Sequence, residues 1–137
     1  MNVRVLLVDH HADVRTRLAH RLRRDSRVEL VGSASGVEEA ERILAAGAEA
    51  DVVLLDIQGI DGGGLAECRA LRGVTDAPVV IFTSYLTDEL WRAAKEAGAA
   101  DYLLKHIDTD SLCREVVRLA KEHRAGPRPR GSPLPQV

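Results

Sequence analysis

The chain has 137 residues, 45% hydrophobic and 3% aromatic, which suits one domain with a core of Val, Leu, Ile and Ala and leaves no room for a second. A formal charge of -2 argues against a globally basic nucleic-acid binder, and no stretch reaches the roughly 20 apolar residues that cross a bilayer. Met1-Asn2-Val3-Arg4 runs straight into a strand-like segment instead of a signal-peptide core, so a soluble, cytoplasmic protein is expected.

Val3 to Val8, apolar apart from Arg4, predicts a first strand that stops at Asp9. Val14, Leu18 and Leu22 then recur at helical spacing, with Arg15, Arg17, Arg21 and Arg23 between them as a solvated basic face and Asp13 near the helix's positive end. Val28 to Val31 predicts a second strand, and Gly32-Ser33-Ala34-Ser35-Gly36 a turn into a helix carrying Val37, Ala40, Ile43 and Leu44, ended by Gly47. The third strand, Val52 to Leu55, stops at Asp56 and opens into the loop Gln58-Gly59-Ile60-Asp61-Gly62-Gly63-Gly64. A short helix follows with Leu65, Cys68 and Leu71 on one face.

Pro78 starts the fourth strand, Val79 to Phe82, which stops at Thr83. Thr87 is suited to cap the next helix, with Asp88 and Glu89 in its first turn, Leu90, Ala94 and Ala97 as its apolar stripe and Gly98 as its end. Tyr102-Leu103-Leu104 predicts a fifth strand ending at Lys105, and Thr109 a cap for a last helix built on Leu112, Val116, Leu119 and Ala120. Residues 1–124 are thus expected to fold. Residues 125–137, with Pro127, Pro129, Pro133 and Pro135 interleaved with arginines, are expected to be a disordered tail or linker. Cys68 and Cys113 stand singly in apolar helical patterns, which predicts buried, reduced thiols.

Strict alternation of strand and helix with short connections predicts an α/β protein with right-handed crossovers, folded as a three-layer α/β/α sandwich on a five-stranded parallel sheet. Ligands of such sheets bind outside the carboxyl ends of the strands. Asp9, Asp56, Thr83 and Lys105 all fall there, and two carboxylates, a hydroxyl and an ammonium around one crevice make a phosphoryl-transfer set. A carboxylate can attack an activated phosphoryl group when cations and donors meet the incoming charge, and Asp56 is the central carboxylate. Clustered carboxylates call for a cation, for which Mg²⁺ is the usual choice among oxygen ligands.

Leu7-Val8-Asp9 with Val14-Arg15, Val53-Leu54-Leu55-Asp56 with Gly64, Phe82-Thr83-Ser84, and the run from Ala97 to Lys105 together resemble the receiver domains of two-component response regulators, over roughly residues 3–122. The resemblance implies a flavodoxin-like fold with strand order 2-1-3-4-5. It implies that Asp56 is the phosphoacceptor, served by a histidine kinase or phosphotransfer protein, and that Asp9, Asp56 and the backbone carbonyl of Gln58 hold Mg²⁺. Thr83 becomes the switch hydroxyl, Lys105 the phosphate-pairing lysine and Tyr102 the switch aromatic. Ser84 matches a small residue flanking the phosphate, and Gln58 and Tyr85 fall at positions that influence phosphoryl lifetime. The helix from Thr87, the strand through Tyr102 and the helix from Thr109 become the relay face toward a downstream protein or output domain, a face compatible with a homodimer.

Three positions depart from the family pattern. His10 replaces a second acid that would bind the metal directly, a loss on the order of a few kcal/mol for one charge about 4 Å away at an effective dielectric of about 20. Its readings are a loop residue without special role, one of four ligands (Asp9, His10, His11, Asp56) of a transition-metal site, or a protonated partner of Asp56. Ile60 stands for a common proline, and His106 follows Lys105 where proline is frequent. The glycines 62–64 read as a permissive turn rather than a phosphate cradle, for no lysine-bearing P-loop pattern accompanies them.

Two further functions compete with the phosphorylation switch. One is a degenerate receiver that binds protein without phosphate, motivated by His10 and Ile60. The other is an aspartate-nucleophile phosphatase, which would need a second acid where Gln58 stands. The domain itself is not expected to be an enzyme, to bind nucleic acid directly or to enter a membrane. Trp91 is expected to be packed against its own helix or a partner.

Overall fold

The computed structural model describes residues 2–57 and 63–124. The expectations for Gln58, Ile60 and the tail from 125 lie outside these residues. The elements run β1 (Val3–Val8), α1 (Ala12–Arg23), β2 (Val28–Ala34), α2 (Val37–Ala45), β3 (Val52–Asp56), α3 (Gly64–Arg72), β4 (Val79–Thr83), α4 (Asp88–Glu96), β5 (Asp101–Leu104) and α5 (Thr109–Arg124). The sheet has the order β2-β1-β3-β4-β5, and every pairing is parallel.

Because side chains alternate across a strand, each central strand feeds two cores. Val5, Leu7, Leu54, Val80 and Phe82 meet Leu18 and Leu22 of α1 and Leu112 and Val116 of α5 on one face. Leu6, Val8, Val53, Leu55 and Ile81 meet Ala40 of α2, Cys68 and Leu71 of α3 and Leu90 and Ala94 of α4 on the other. This is the three-layer sandwich the alternation predicts, with the strand order the resemblance implies. Both cysteines are buried and free, one on each side of the sheet. Burial raises both thiols above their ordinary range, and Asp25 adds to it at Cys113, which is pushed up to about 11.

Two local expectations are corrected. The second strand continues past Val31 to Ala34, because Leu6, Leu7 and Val8 pair with Gly32, Ser33 and Ala34 after a register shift at Val5/Leu6. Pairing overrides the turn propensity, and a Cβ at Gly32 would lie 2.8 Å from Ile43 Cγ2, so the glycine admits α2 onto the strand. At α5 the cap is Asp108 rather than Thr109: Asp108 Oδ1 accepts from Ser111 N–H at 2.8 Å and Oδ2 from the Ser111 hydroxyl at 3.0 Å. Thr109 Oγ1 instead accepts from Arg21 Nε at 2.8 Å, and Arg21 Nη2 donates to the Ile107 carbonyl at 2.9 Å. Part of the basic face of α1 is therefore spent fastening α1 to the start of α5. The cap at Thr87 is as expected, its Oγ1 accepting from Leu90 N–H at 3.0 Å.

Candidate functional site at the carboxyl edge of the sheet

Parallel strands end on the same side, so the residues that close β1, β3, β4 and β5 share one rim. Among the described residues the buried polar ones are Asp9, Asp56 and Thr83, at 0%, 2% and 3% exposure. Burying two carboxylates side by side is unfavourable unless a cation lies between them. Lys105, immediately after β5, is that cation: its Nζ lies 3.0 Å from Asp9 Oδ2 and 2.6 Å from Asp56 Oδ1. Its backbone N–H is held by the Thr83 carbonyl at 2.8 Å, which fixes the lysine at the rim.

The other carboxylate oxygens face His11. Its Nδ1 is 3.6 Å from Asp9 Oδ1 and 3.7 Å from Asp56 Oδ2, and its backbone N–H donates to Asp9 Oδ1 at 2.8 Å. Asp56 Oδ2 is buried and, among the described residues, accepts no hydrogen bond. Asp9, His11 and Asp56 form a group that could hold a metal ion, their ligand atoms all within 4.8 Å of one another. The oxygens suit Mg²⁺, whereas an imidazole nitrogen suits Zn²⁺, Ni²⁺ or Cu²⁺.

His10 is not brought to the acids. Its Nε2 lies 3.0 Å from Glu67 Oε1 on α3, and Glu67 Oε2 accepts from Val37 N–H at 3.1 Å at the start of α2. This overturns the pairing of His10 with Asp56 and its place in the metal cluster. The cause is local: the chain bends at His10 between β1 and α1, with His11 extended at φ -92° and ψ 110°, so that the His11 imidazole lies by Asp9 and Asp56 while His10 lies by Glu67.

Thr83 lies at the rim, but its hydroxyl donates to the Tyr85 carbonyl at 3.1 Å. Tyr102 on β5 is 37% exposed and stacks edge-on against Trp91 of α4, ring centres 5.0 Å apart, with Lys95 Nζ 5.6 Å from the indole. Trp91 is thus packed within its own fold. Gly63 adopts φ +82° ahead of α3, and a Cβ on Gly64 would lie 2.5 Å from Ile57 Cβ, so a left-handed turn and a close approach account for two of the three glycines; Gly62 lies outside the described residues. Arg15 leaves the solvated face expected of it: its Nη1 donates to the Asp9 carbonyl at 2.6 Å and braces the loop. A cavity of about 220 Å³ opens beside Lys105, lined by Val14, Arg17, Leu18, Arg21 and Phe82.

The family model described as the response regulator receiver domain matches residues 5–117. The chain is 40% identical over 115 residues to the DNA-binding transcriptional activator DevR/DosR of Mycobacterium tuberculosis, covering 83% of this chain and 52% of that protein. It is 37% identical over 105 residues to the transcriptional regulatory protein LiaR of Bacillus subtilis, covering 75% and 49%. The chain therefore spans about half the length of these curated relatives. Among solved structures, the signal receiver domain of the putative response regulator NarL from Mycobacterium tuberculosis superposes with a TM-score of 0.75 at 26% identity, covering 88% of this chain and 97% of that one. The Vibrio cholerae chemotaxis protein CheY4 shares the fold, with a TM-score of 0.73 at 24% identity over 87% and 99% of the two chains. Among the described residues, no helix is long and apolar enough to cross a membrane.

Proposed function

Since the chain belongs to the response regulator receiver domain family, a signalling module of two-component systems, we propose that Asp56 accepts a phosphoryl group from a histidine kinase or phosphotransfer protein. The observation that carries this is Asp56 itself: a carboxylate at the end of a central strand, one oxygen on Lys105 and the other accepting no hydrogen bond from the described residues. In the transfer an Asp56 oxygen attacks phosphorus, the bond from phosphorus to the donor's imidazole nitrogen breaks, and an acyl phosphate remains on Asp56. Lys105 then faces the new negative charge, and the Thr83 hydroxyl leaves the Tyr85 carbonyl for a phosphoryl oxygen. Arg17 and Arg21, beside the cavity at Lys105, favour the approach of an anionic donor.

Asp9 and Asp56, with the backbone carbonyl of Gln58, are the oxygens that would hold Mg²⁺; when bound, that ion would neutralise charge on the phosphoryl oxygens. Movement of Thr83 is read on the outer face by Tyr102, so α4, β5 and α5 carry the state to a downstream protein or an output domain in a longer chain. That face also suits a homodimer. The relatives' printed names make a DNA-binding output the leading choice, with the receiver itself touching no nucleic acid, catalysing no turnover of its own and working in the cytoplasm.

A second reading is a degenerate receiver that binds protein without phosphate. It is favoured by His10, which stands where an acid is usual and is turned to Glu67. Incubation with acetyl phosphate or phosphoramidate, with and without Mg²⁺, followed by intact mass and peptide mapping, separates the two. The expected result is an adduct on Asp56 that Asp56→Asn abolishes. A chain that stays unmodified with every donor is the binding module.

A further inference from the structure

We propose that Asp9 Oδ1, His11 Nδ1 and Asp56 Oδ2 form a site that prefers a borderline divalent transition-metal ion, of the Zn²⁺ or Ni²⁺ class, over Mg²⁺. Two ligand atoms about 2.05 Å from a tetrahedral ion stand about 3.4 Å apart. His11 Nδ1 lies 3.6 and 3.7 Å from the two carboxylate oxygens, within a few tenths of an ångström of that spacing, and the ligand atoms of the three residues all lie within 4.8 Å of one another.

Three observations point to a ligand there. Asp56 Oδ2 is buried without a hydrogen bond from the described residues and faces the imidazole, an arrangement that is costly unless a cation completes it. Lys105 holds the opposite oxygens, Asp9 Oδ2 and Asp56 Oδ1, so the oxygens turned to the imidazole are Asp56 Oδ2 and Asp9 Oδ1, the latter keeping one lone pair beside its hydrogen bond from His11 N–H. Two carboxylates and one ammonium leave a net charge of about -1 at the rim, which a divalent cation takes up. The identity of the ion follows from the third ligand. Imidazole binds Zn²⁺, Ni²⁺ and Cu²⁺ well, whereas Mg²⁺ demands oxygen and sheds its water reluctantly. His11 is about half exposed, which leaves an entry path and an open position for water.

The inference concerns the rim used by the phosphoacceptor reading but requires only ligand geometry. Its test contains no phosphodonor, so either reading can fail alone. The metal-free chain is titrated calorimetrically with ZnCl₂, NiCl₂ and MgCl₂, alongside His11→Ala and His10→Ala, with backbone NMR spectra showing that both variants fold. Zn²⁺ is expected to bind one-to-one, at least about tenfold more tightly than Mg²⁺. His11→Ala is expected to weaken Zn²⁺ about tenfold or more while leaving Mg²⁺ within about threefold, and His10→Ala to change neither. The His11 Nδ1 resonance in ¹⁵N spectra is expected to move on addition of Zn²⁺. Mg²⁺ binding as tight as Zn²⁺, unaltered Zn²⁺ affinity in His11→Ala, or a loss caused by His10→Ala would each overturn the proposal.

Discussion

Lys105 sets the electrostatic state of the rim, because one ammonium lies against both Asp9 and Asp56. Removing it leaves two carboxylates buried together, so Lys105→Ala is expected to destabilise the fold by about 3 kcal/mol, the usual cost of breaking a buried pair from one side. Asp56→Asn in the same chain removes one of the stranded charges and is expected to recover part of that loss. Urea titrations of the two single variants and the double variant form the cycle that checks it, and strict additivity would refute the coupling. The positions of Asp9, Asp56, Thr83 and Lys105 were legible in the sequence because each ends an apolar run, and parallel strands bring such ends together. The division of labour between His10 and His11 was not, since it depends on which way a loop residue turns and on Glu67, fifty-odd positions further on, being there to receive His10.

At the scale of elements, the apolar runs are unambiguous enough that all five strands and five helices were expected where they lie. The errors sit at ends, where tertiary contact competes with propensity. The last three residues of β2 look like a turn when read alone and become strand through their partners in β1. At α5 two adjacent residues, Asp108 and Thr109, are both good caps, and only the clasp from Arg21 shows that Thr109 has other employment. Asp108→Ala is therefore expected to cost about 1 kcal/mol through the lost cap. Thr109→Ala should act instead on the contact between α1 and α5, faster amide exchange near Arg21 being its signature. Thermal melts and hydrogen exchange separate the two, and equal exchange at α5's first turn in both variants would count against this assignment.

For the molecule as a whole, the end opposite the rim is tied by Asp51. It accepts from Arg4 N–H at 2.8 Å and from Arg4 Nε at 3.1 Å, and Arg124 Nη2 at the end of α5 lies 2.9 Å away. Partial burial would raise this carboxyl, but the hydrogen bonds from Arg4 and Arg124 outweigh it and hold the group well below the usual carboxylate range. A carboxyl depressed in the folded state contributes stability that is complete above its unfolded value of about 3.9 and is lost as pH falls below it toward the folded value. Asp51→Asn is thus expected to be less stable near pH 7, and to lose less than the parent between about pH 5 and pH 2. Parallel pH losses in the two proteins would contradict this. The stack of Trp91 on Tyr102 has a separate use: with a single indole in the whole chain, any rearrangement of that tyrosine registers in one emission band, so the domain carries its own optical gauge of the outer surface without a label.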